Sequence, residues 1–248
     1  MNHPYPVISF QELASTNTYA KENLGSLPEQ CVITADCQTA GKGRLGRHWA
    51  SPPGQALYLT FVLKRPQFDF SMLPLISAVA VCRALQPQTD ELFQIKWPND
   101  VLLHQKKICG ILCESCIKGS ETAVISGIGI NLNQTAKDFS EETLPYATSL
   151  AIELGKNFSI PQTRDRLIQA FDDTLSLFIQ RGFEPLREEY QAKLINTGKE
   201  VRVIYQKQEV VATAIGILEN GNLLCQKDGK TFSVNSGEAS VRGLYGYV

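Results

Sequence analysis

An α+β fold, with one larger mixed domain and one small β domain, is predicted by three observations. Three β-rich runs at 101–104, 107–117 and 122–131 follow one another through turn-like links, which makes an antiparallel meander and not alternating strand and helix. Two helical patterns then come together, at about 162–181 and 184–194, with Gly182 between them. After Asn196-Thr197-Gly198 the helical signals nearly vanish, and about fifty residues of short strands follow, which suggests a small barrel.

The remaining elements read in order. Residues 5–10 form a short strand, and Ser15 caps a helix running to about Leu24, stopped by Gly25. A strand at 31–37 leads into a loop, 38–54, rich in Gly, Arg and Lys. A β-rich run at 56–63, an apolar helix at 71–85 and a strand at 93–97 ending on Pro98 come next. The meander turns are expected at Gln105-Lys106 and at Lys118-Gly119-Ser120. In the last segment, strands are expected at 199–205, 209–218, 223–227 and 231–234. Their turns are Gln206-Lys207-Gln208, Glu219-Asn220-Gly221-Asn222 and Asp228-Gly229.

Composition excludes several classes. The 248 residues carry a formal net charge of -1, which argues against a general binder of nucleic acid or membrane surfaces. No run approaches the ~18 consecutive apolar residues of a membrane span. The first ten residues do not read as a secretory signal. Seven cysteines, scattered and odd in number, suit reduced thiols packed as small hydrophobes in a cytoplasmic protein. Cys113 and Cys116 form a C-x-x-C, but on a strand residues three apart face opposite ways, and no second Cys/His pair follows at zinc spacing.

The loop at 38–54 holds the first chemical signal. Gly41, Gly43 and Gly46 match G-x-G-x-x-G, yet Trp49 and then Pro52-Pro53-Gly54 follow where a dinucleotide site would open a helix. The phosphate-loop pattern fails too, since Arg47-His48 follows Gly46, and no H-R-D or D-F-G occurs later for a kinase. What remains is physical. Lys42, Arg44 and Arg47 place three cations within six residues, and mobile glycine backbone with fixed cations suits a phosphate or carboxylate. Trp49 offers a flat face for a base. A solvated basic loop has the same composition.

Lys96-Trp97-Pro98-Asn99-Asp100 sets Asn99 and Asp100 in a turn at a strand end, where side chains project from rigid support; a plain Pro-Asn-Asp turn looks alike. Lys107 opens the next strand, and a short hairpin would return its ammonium to the same sheet end. Gly127 and Gly129 within a strand mark close approach by a ligand or another backbone, and Asn131 closes that strand with an amide suited to a base edge. Ser15, Thr16 and Asn17 cap a helix and also carry polar groups for a small head group.

In this order the segments resemble the biotin–protein ligase family. The matching pieces are Ser15-Thr16-Asn17, the run from Gln38 to Arg47, Lys96 to Asp100, the run opened by Lys107, Gly127 to Asn131, and the terminal run from Ser236 to Arg242, together spanning about 15–242. The resemblance implies a catalytic domain, 1–196, related to class II aminoacyl-tRNA synthetases, and an SH3-like barrel, 197–248. It implies that Ser15, Thr16, Asn17 and Gln38 hold the ureido end of biotin, and that Lys42, Gly43 and Arg44 lie in a loop that orders over carboxylate and phosphates. Lys107, with Gly110 nearby, falls at the carboxylate and α-phosphate. Arg47, Trp49, Asn99, Asp100 and Asn131 fall on the ATP side. Lys107, Arg44 and Lys42 are the catalytic candidates.

The implied reaction activates biotin with ATP and Mg²⁺ to biotinyl-5'-adenylate, releases pyrophosphate, and passes biotin to a lysine of a biotin carboxyl carrier protein. Three departures stand out: Lys42 where many relatives carry Arg, Ala214-Ile-Gly-Ile-Leu-Glu where an Asp commonly follows Gly-Ile, and only about fourteen residues before Ser15. The last leads us to expect no DNA binding and no repressor role. No membrane partner is expected, and a homodimer is left open. A lipoate–protein ligase is the alternative in the same chemical class. A biotin-sensing repressor and a non-catalytic nucleotide-binding module are the alternatives outside it.

Overall fold

A computed structural model describes residues 4–119, 121–139, 146–205, 208–236 and 239–243. Ser120, Gln206, Lys207, Gly237 and Glu238, which belong to turns and to the terminal motif named above, lie outside the described residues.

A seven-stranded mixed sheet carries the larger part. Its strands are β1 (Val7–Leu13), β2 (Gln30–Gln38), β3 (Ala56–Lys64), β4 (Gln94–Lys96), β5 (Asp100–Leu103), β6 (Lys106–Lys118) and β7 (Glu121–Asn131), in the spatial order β1-β2-β3-β7-β6-β5-β4. β1 and β2 run parallel, joined through helix α1 (Thr16–Glu22); every other pair is antiparallel. The antiparallel meander expected from the sequence is β5-β6-β7, and β4 extends it by one antiparallel strand. The first strand starts two residues later than expected, and Tyr5 instead packs into the core and donates to Asp172 Oδ1 at 2.8 Å.

The β5–β6 turn is also displaced by one residue. His104 and Gln105 form the two-residue connection, both at positive φ (48° and 64°), and Lys106 already pairs with Leu103. Positive φ at both central positions gives the turn a twist that matches the flanking strands.

One face of the sheet is covered by α2 (Leu73–Leu85), α4 (Ile160–Arg181) and α5 (Glu184–Lys193). Side chains alternate across a strand, so Leu57, Leu59, Phe61 and Leu63 all enter this layer, where Phe61 stacks on Phe171 of α4. α4 starts on a Ser159 cap with Pro161 in its first turn, and Gly182 ends it at φ 72°. The helical stretch 70–88 has a mean hydropathy of 1.3 and the length of a membrane span, but 67% of it is buried against the rest of the protein. A short helix, α3 (Leu150–Leu154), capped by Ser149, was not expected from the sequence.

On the opposite face a smaller cluster, including Ala20, Leu24, Ile33 and Val62, seats α1. Cys113 packs on the helical side and Cys116 on the α1 side, as strand alternation requires. All seven cysteines are free thiols. The rest of this second face, beyond α1, is left for the site.

The C-terminal part is a five-stranded antiparallel sheet of β8 (Glu200–Tyr205), β9 (Gln208–Ile217), β10 (Leu223–Lys227), β11 (Lys230–Val234) and β12 (Ala239–Gly243), ordered β11-β10-β9-β8-β12. β12 was not among the expected strands. Val201, Ala214, Leu223 and Cys225 join the same apolar cluster as α2 and the large sheet. Trp97, only 2% exposed, pins the junction: its backbone N–H donates to Asn196 Oδ1 at 2.9 Å and its indole Nε1 to Gly221 O at 3.0 Å.

Trp97→Phe keeps most of the buried ring and leaves Gly221 O without its buried donor. We expect a loss of about 1–3 kcal/mol, read as a lower urea midpoint at unchanged m-value.

Candidate active site

Three glycines on two adjacent strands make the floor of the site. Gly110 of β6 lies directly opposite Gly129 of β7, and Leu112 opposite Gly127. All four residues therefore share the sheet face not covered by α2 and α4. A Cβ at Gly129 would stand 2.6 Å from Trp49 Nε1, one at Gly110 2.8 Å from the Trp49 ring, and one at Gly127 would overlap the Asn17 amide. Trp49 and Asn17 thus lie flat where side chains would otherwise stand.

A cavity of about 760 Å³ rises from this floor, and every site residue inferred from the sequence lines it. The basic loop forms its roof. The loop closes on itself through Trp49 N–H to Gly41 O (2.9 Å), Gly43 N–H to Arg47 O (2.8 Å) and a bridge between Lys42 and His48. It opens no α-helix: Arg44–Gly46 is a single 3-10 turn, with Leu45 and Gly46 at φ 58° and 72°. Lys42 and Arg47 are exposed at the rim.

Arg44 is half-buried and reaches inward. It donates from Nη1 to Asn99 Oδ1 (3.2 Å) and from Nη2 to Ser236 O (2.8 Å), so one guanidinium joins the loop, the β4–β5 turn and the C-terminal part. Burial lowers its pKa from the ordinary arginine value, and nearby Asp100 opposes that shift. Asn99 is fixed in turn by donating to Ile111 O at 2.6 Å.

Lys107 owes its direction to a local irregularity. Val101 pairs with Cys109 but Leu102 pairs with Lys107, so Ile108 is an extra residue in β6. This bulge buries Ile108 and Cys109 together in the core and turns Lys107 onto the floor face with Gly110. Its Nζ lies 2.6 Å from Asp100 Oδ1 and 5.2 Å from the centroid of the Trp49 ring. Its backbone also anchors 146–148, accepting from Thr148 N–H and donating to Tyr146 O. Asn131 ties the same segment from beneath through Nδ2 to Thr148 O (3.0 Å), while its Oδ1 accepts from Gln134.

At the other end of the cavity stands a polar cluster on α1. Ser15 caps the helix. Thr16 N–H donates to Gln38 Oε1 (2.9 Å), and Gln38 Nε2 donates to Ser51 Oγ (3.0 Å). Asn17 Nδ2 donates to Leu112 O (3.1 Å) and Glu114 Oε2 (2.9 Å).

Several residues that sequence reading assigned no role belong here. Lys96, opposite Asp100 in the β4–β5 pair, is nearly buried and lines the cavity; burial lowers its pKa to about 8, against the pull of Asp100, with Lys107, Arg47 and Arg242 adding to the lowering. Ser51, Thr60 and Glu114 hold the α1 cluster, and Gln134, Arg202 and Arg242 complete the wall. Lys96 stood within a motif already singled out. Arg242 likewise closes the terminal run already singled out; the others are a serine, a threonine and polar residues on strands or loops, which carry no mark of their own.

The arrangement can do one kind of chemistry well. Seven lysines and arginines among the described residues line a cavity whose opposite end offers amides and hydroxyls, so an anionic group fits at one end and a neutral polar head at the other. Among the described residues no group of three or more His, Cys, Asp or Glu side chains could hold a metal ion.

Comparison with known proteins gives the same direction. Residues 8–131 match the Biotin/lipoate A/B protein ligase family, and residues 197–242 match the Biotin protein ligase C terminal domain. The chain is 32% identical over 219 residues to the bifunctional ligase/repressor BirA of Bacillus subtilis, covering 86% of this chain and 67% of that protein. It is 31% identical over 238 residues to the biotin–[acetyl-CoA-carboxylase] ligase of Mycobacterium tuberculosis, covering 92% and 85%. The solved biotin protein ligase from Aquifex aeolicus in complex with biotin and ATP superposes with a TM-score of 0.87 at 31% identity, covering 96% of this chain and 99% of that one.

Two outcomes follow from this geometry. Trp49 and Trp97 are the only tryptophans, so in a Trp97→Phe background the emission reports Trp49 alone. Adding Gly129→Ala there should lift the indole off the floor and shift its emission to longer wavelength; an unchanged spectrum would show that the floor tolerates a methyl group. For Lys96, the lowered pKa means that the folded state holds fewer protons than the unfolded one between about 8 and the ordinary 10.5. The wild type therefore gains stability as pH rises through that window. Lys96→Met should have the higher urea midpoint at pH 7, and the gap should narrow by pH 10.

Proposed function

The chain belongs to the biotin/lipoate A/B protein ligase family and acts as an ATP-dependent biotin–protein ligase, and we propose how its residues divide that work. The observation that carries the reading is the cavity itself, with cations at one end and a hydrogen-bonding head-group pocket at the other, over a floor built on three glycines. Thr16, Gln38 and their neighbours Ser15 and Asn17 receive the ureido end of biotin. A lipoyl group has no N–H or C=O there to satisfy these polar atoms, which favours biotin over lipoate.

The acyl chain crosses the cavity from Asn17, which lies on Gly127, toward Trp49, which lies on Gly129, and brings the carboxylate to Lys107. ATP enters beneath the basic loop, against Trp49, Arg47, Asn99, Asp100 and Asn131. The carboxylate oxygen attacks the α-phosphorus, the bond to the bridging oxygen breaks, and pyrophosphate leaves. Lys107 and Arg44 meet the charge that develops on the α-phosphate, and Lys42 meets the departing phosphates. Little covalent protein chemistry is needed; alignment of the two anions supplies the rest. Mg²⁺ would enter bound to the ATP phosphates and neutralise part of their charge.

In the second step the amine of an acceptor lysine attacks the biotinyl carbonyl and AMP leaves. A carrier domain of a carboxylase is the acceptor that the name of the mycobacterial relative supports. The roof loop excludes water from the anhydride. We assign 1–196 to a catalytic domain of the class II aminoacyl-tRNA synthetase kind and 197–248 to an SH3-like barrel, a division supported by the separate family match at 197–242.

The test is direct: incubation with biotin, ATP and Mg²⁺ should yield biotinyl-5'-adenylate by mass spectrometry together with pyrophosphate, and lipoic acid should not replace biotin. Lys107→Ala should lower the rate of adenylate formation by about 10²–10³ with the fold intact. Adenylation near the wild-type rate in that variant would remove Lys107 from the mechanism.

A further inference from the structure

Thr16 lines the head-group pocket, and which ligand group its hydroxyl can take depends on where its one hydrogen points. The neighbours decide that. Asn17 Nδ2 faces Leu112 O at 3.1 Å and Glu114 Oε2 at 2.9 Å. A backbone carbonyl and a carboxylate only accept, so the atom facing them must be the amide nitrogen. Glu114 is itself held in place: its other oxygen pairs with Lys21 Nζ at 2.8 Å. Asn17 and Lys21 stand four residues apart on one face of α1, and Glu114 of β6 bridges them. The amide fills the space that a Cβ at Gly127 would occupy.

With its nitrogen so fixed, Asn17 directs Oδ1 at Thr60 Oγ1, 2.7 Å away. Thr60 is fully buried, and its hydroxyl lies 2.7 Å from Thr16 Oγ1 as well. A hydroxyl carries one hydrogen. Asn17 Oδ1 has none to give, so Thr60 must donate to it. The equally short contact between Thr60 and Thr16 must then be bridged by the hydrogen of Thr16. Thr16 Oγ1 is left with lone pairs only on its cavity side. The longer 3.2 Å contact from Thr16 Oγ1 to Gln38 Oε1 needs no hydrogen, because that oxygen already accepts Thr16 N–H.

We infer that Glu114 and Thr60, neither of which lines the cavity, are positioning residues that set the polarity of the head-group pocket, making Thr16 Oγ1 an obligate acceptor that selects a ligand N–H. The order of hydrogens runs from Thr16 to Thr60 to Asn17, and Glu114 with Leu112 O locks its end. Gln38 supplies the opposite polarity, since one Nε2 hydrogen is spent on Ser51 and the other is left for a ligand carbonyl. Acceptor and donor side by side match a cyclic urea and reject a ring that has neither group. This inference rests on the assignment of biotin's ureido end to Thr16 and Gln38.

The experiment measures kcat and KM for biotin, and KM for ATP, by biotin-dependent ATP–pyrophosphate exchange. Thr60→Val keeps the shape of the side chain and removes the relay hydroxyl; Thr60→Ser keeps the hydroxyl and removes a packed methyl. The relay requires that Val raise the biotin KM about 10- to 100-fold, with kcat and the ATP KM within about twofold, and that Ser stay near wild type. A purely structural role predicts the reverse order, with Ser the more damaging. Glu114→Leu should raise the biotin KM as Val does, and Glu114→Gln, which keeps an acceptor oxygen, should not; this pair carries the test if Thr60→Val does not fold. Thr16→Val separates the two readings. If it raises the biotin KM while Thr60→Val and Glu114→Leu leave it unchanged, the pocket assignment stands and the relay is wrong. If Thr16→Val also leaves the biotin KM unchanged, the pocket assignment falls and the relay falls with it.

Discussion

The missing side chains at Gly110, Gly127 and Gly129 are the constraint on which the site depends. These residues meet across the β6–β7 pair and leave a bare patch on a sheet face that would otherwise be filled like its neighbours. Trp49 and Asn17 descend into that space, and both fit only because no Cβ occupies it. The floor therefore positions a roof-loop residue at one end and an α1 residue at the other. Close packing elsewhere makes this rigid: the opposite face of the same strands is sealed by α2 and α4, so the sheet cannot yield to relieve a clash.

Charge is arranged around that floor by backbone devices more than by ion pairing. The extra residue Ile108 turns Lys107 out of the core, and the tight His104-Gln105 connection returns it beside Asp100. Lys96, across the hairpin from Asp100, is held largely out of water, which is why its ammonium is disfavoured. A buried anion arriving between Lys96, Lys107 and Arg44 would restore the charge balance that burial has upset. Such a site is expected to be less stable empty than full, the usual trade for a pocket that must meet phosphate charge without reorganising.

Arg44 joins this centre to the C-terminal sheet. Two of its hydrogen bonds reach Asn99 on one side and the backbone of Ser236 on the other. Trp97 ties the same hairpin to Gly221 and Asn196 from below. The C-terminal part is thus fastened to the β4–β5 turn at two points, one in the core and one at the cavity, and a loop movement that frees Arg44 would be felt at Ser236.

The sequence by itself determined the meander, the long helices, the run of strands after Asn196 and the residues that crowd one cavity. These are local matters: side-chain period, caps, turn residues, and glycines and cations close together in the chain. Lys42, Arg44 and Arg47 announce an anion site because they stand within six residues. Thr60, Ser51 and Glu114 announce nothing, because each acts on a partner away from it in the chain: Thr60 on Asn17, Ser51 on Gln38, and Glu114 on Asn17 and Lys21. The parallel pairing of β1 with β2, the helix α3 and the strand β12 were illegible for a similar reason, since short elements take their conformation from what they pack on. Tertiary structure also decided direction. Period 2 would bury Lys107 with Cys109, and only the register shift against β5 turns it toward Asp100. A motif names the residue types a reaction needs, but the hydrogen bonds and register that aim them are settled between strands, where sequence distance is no guide.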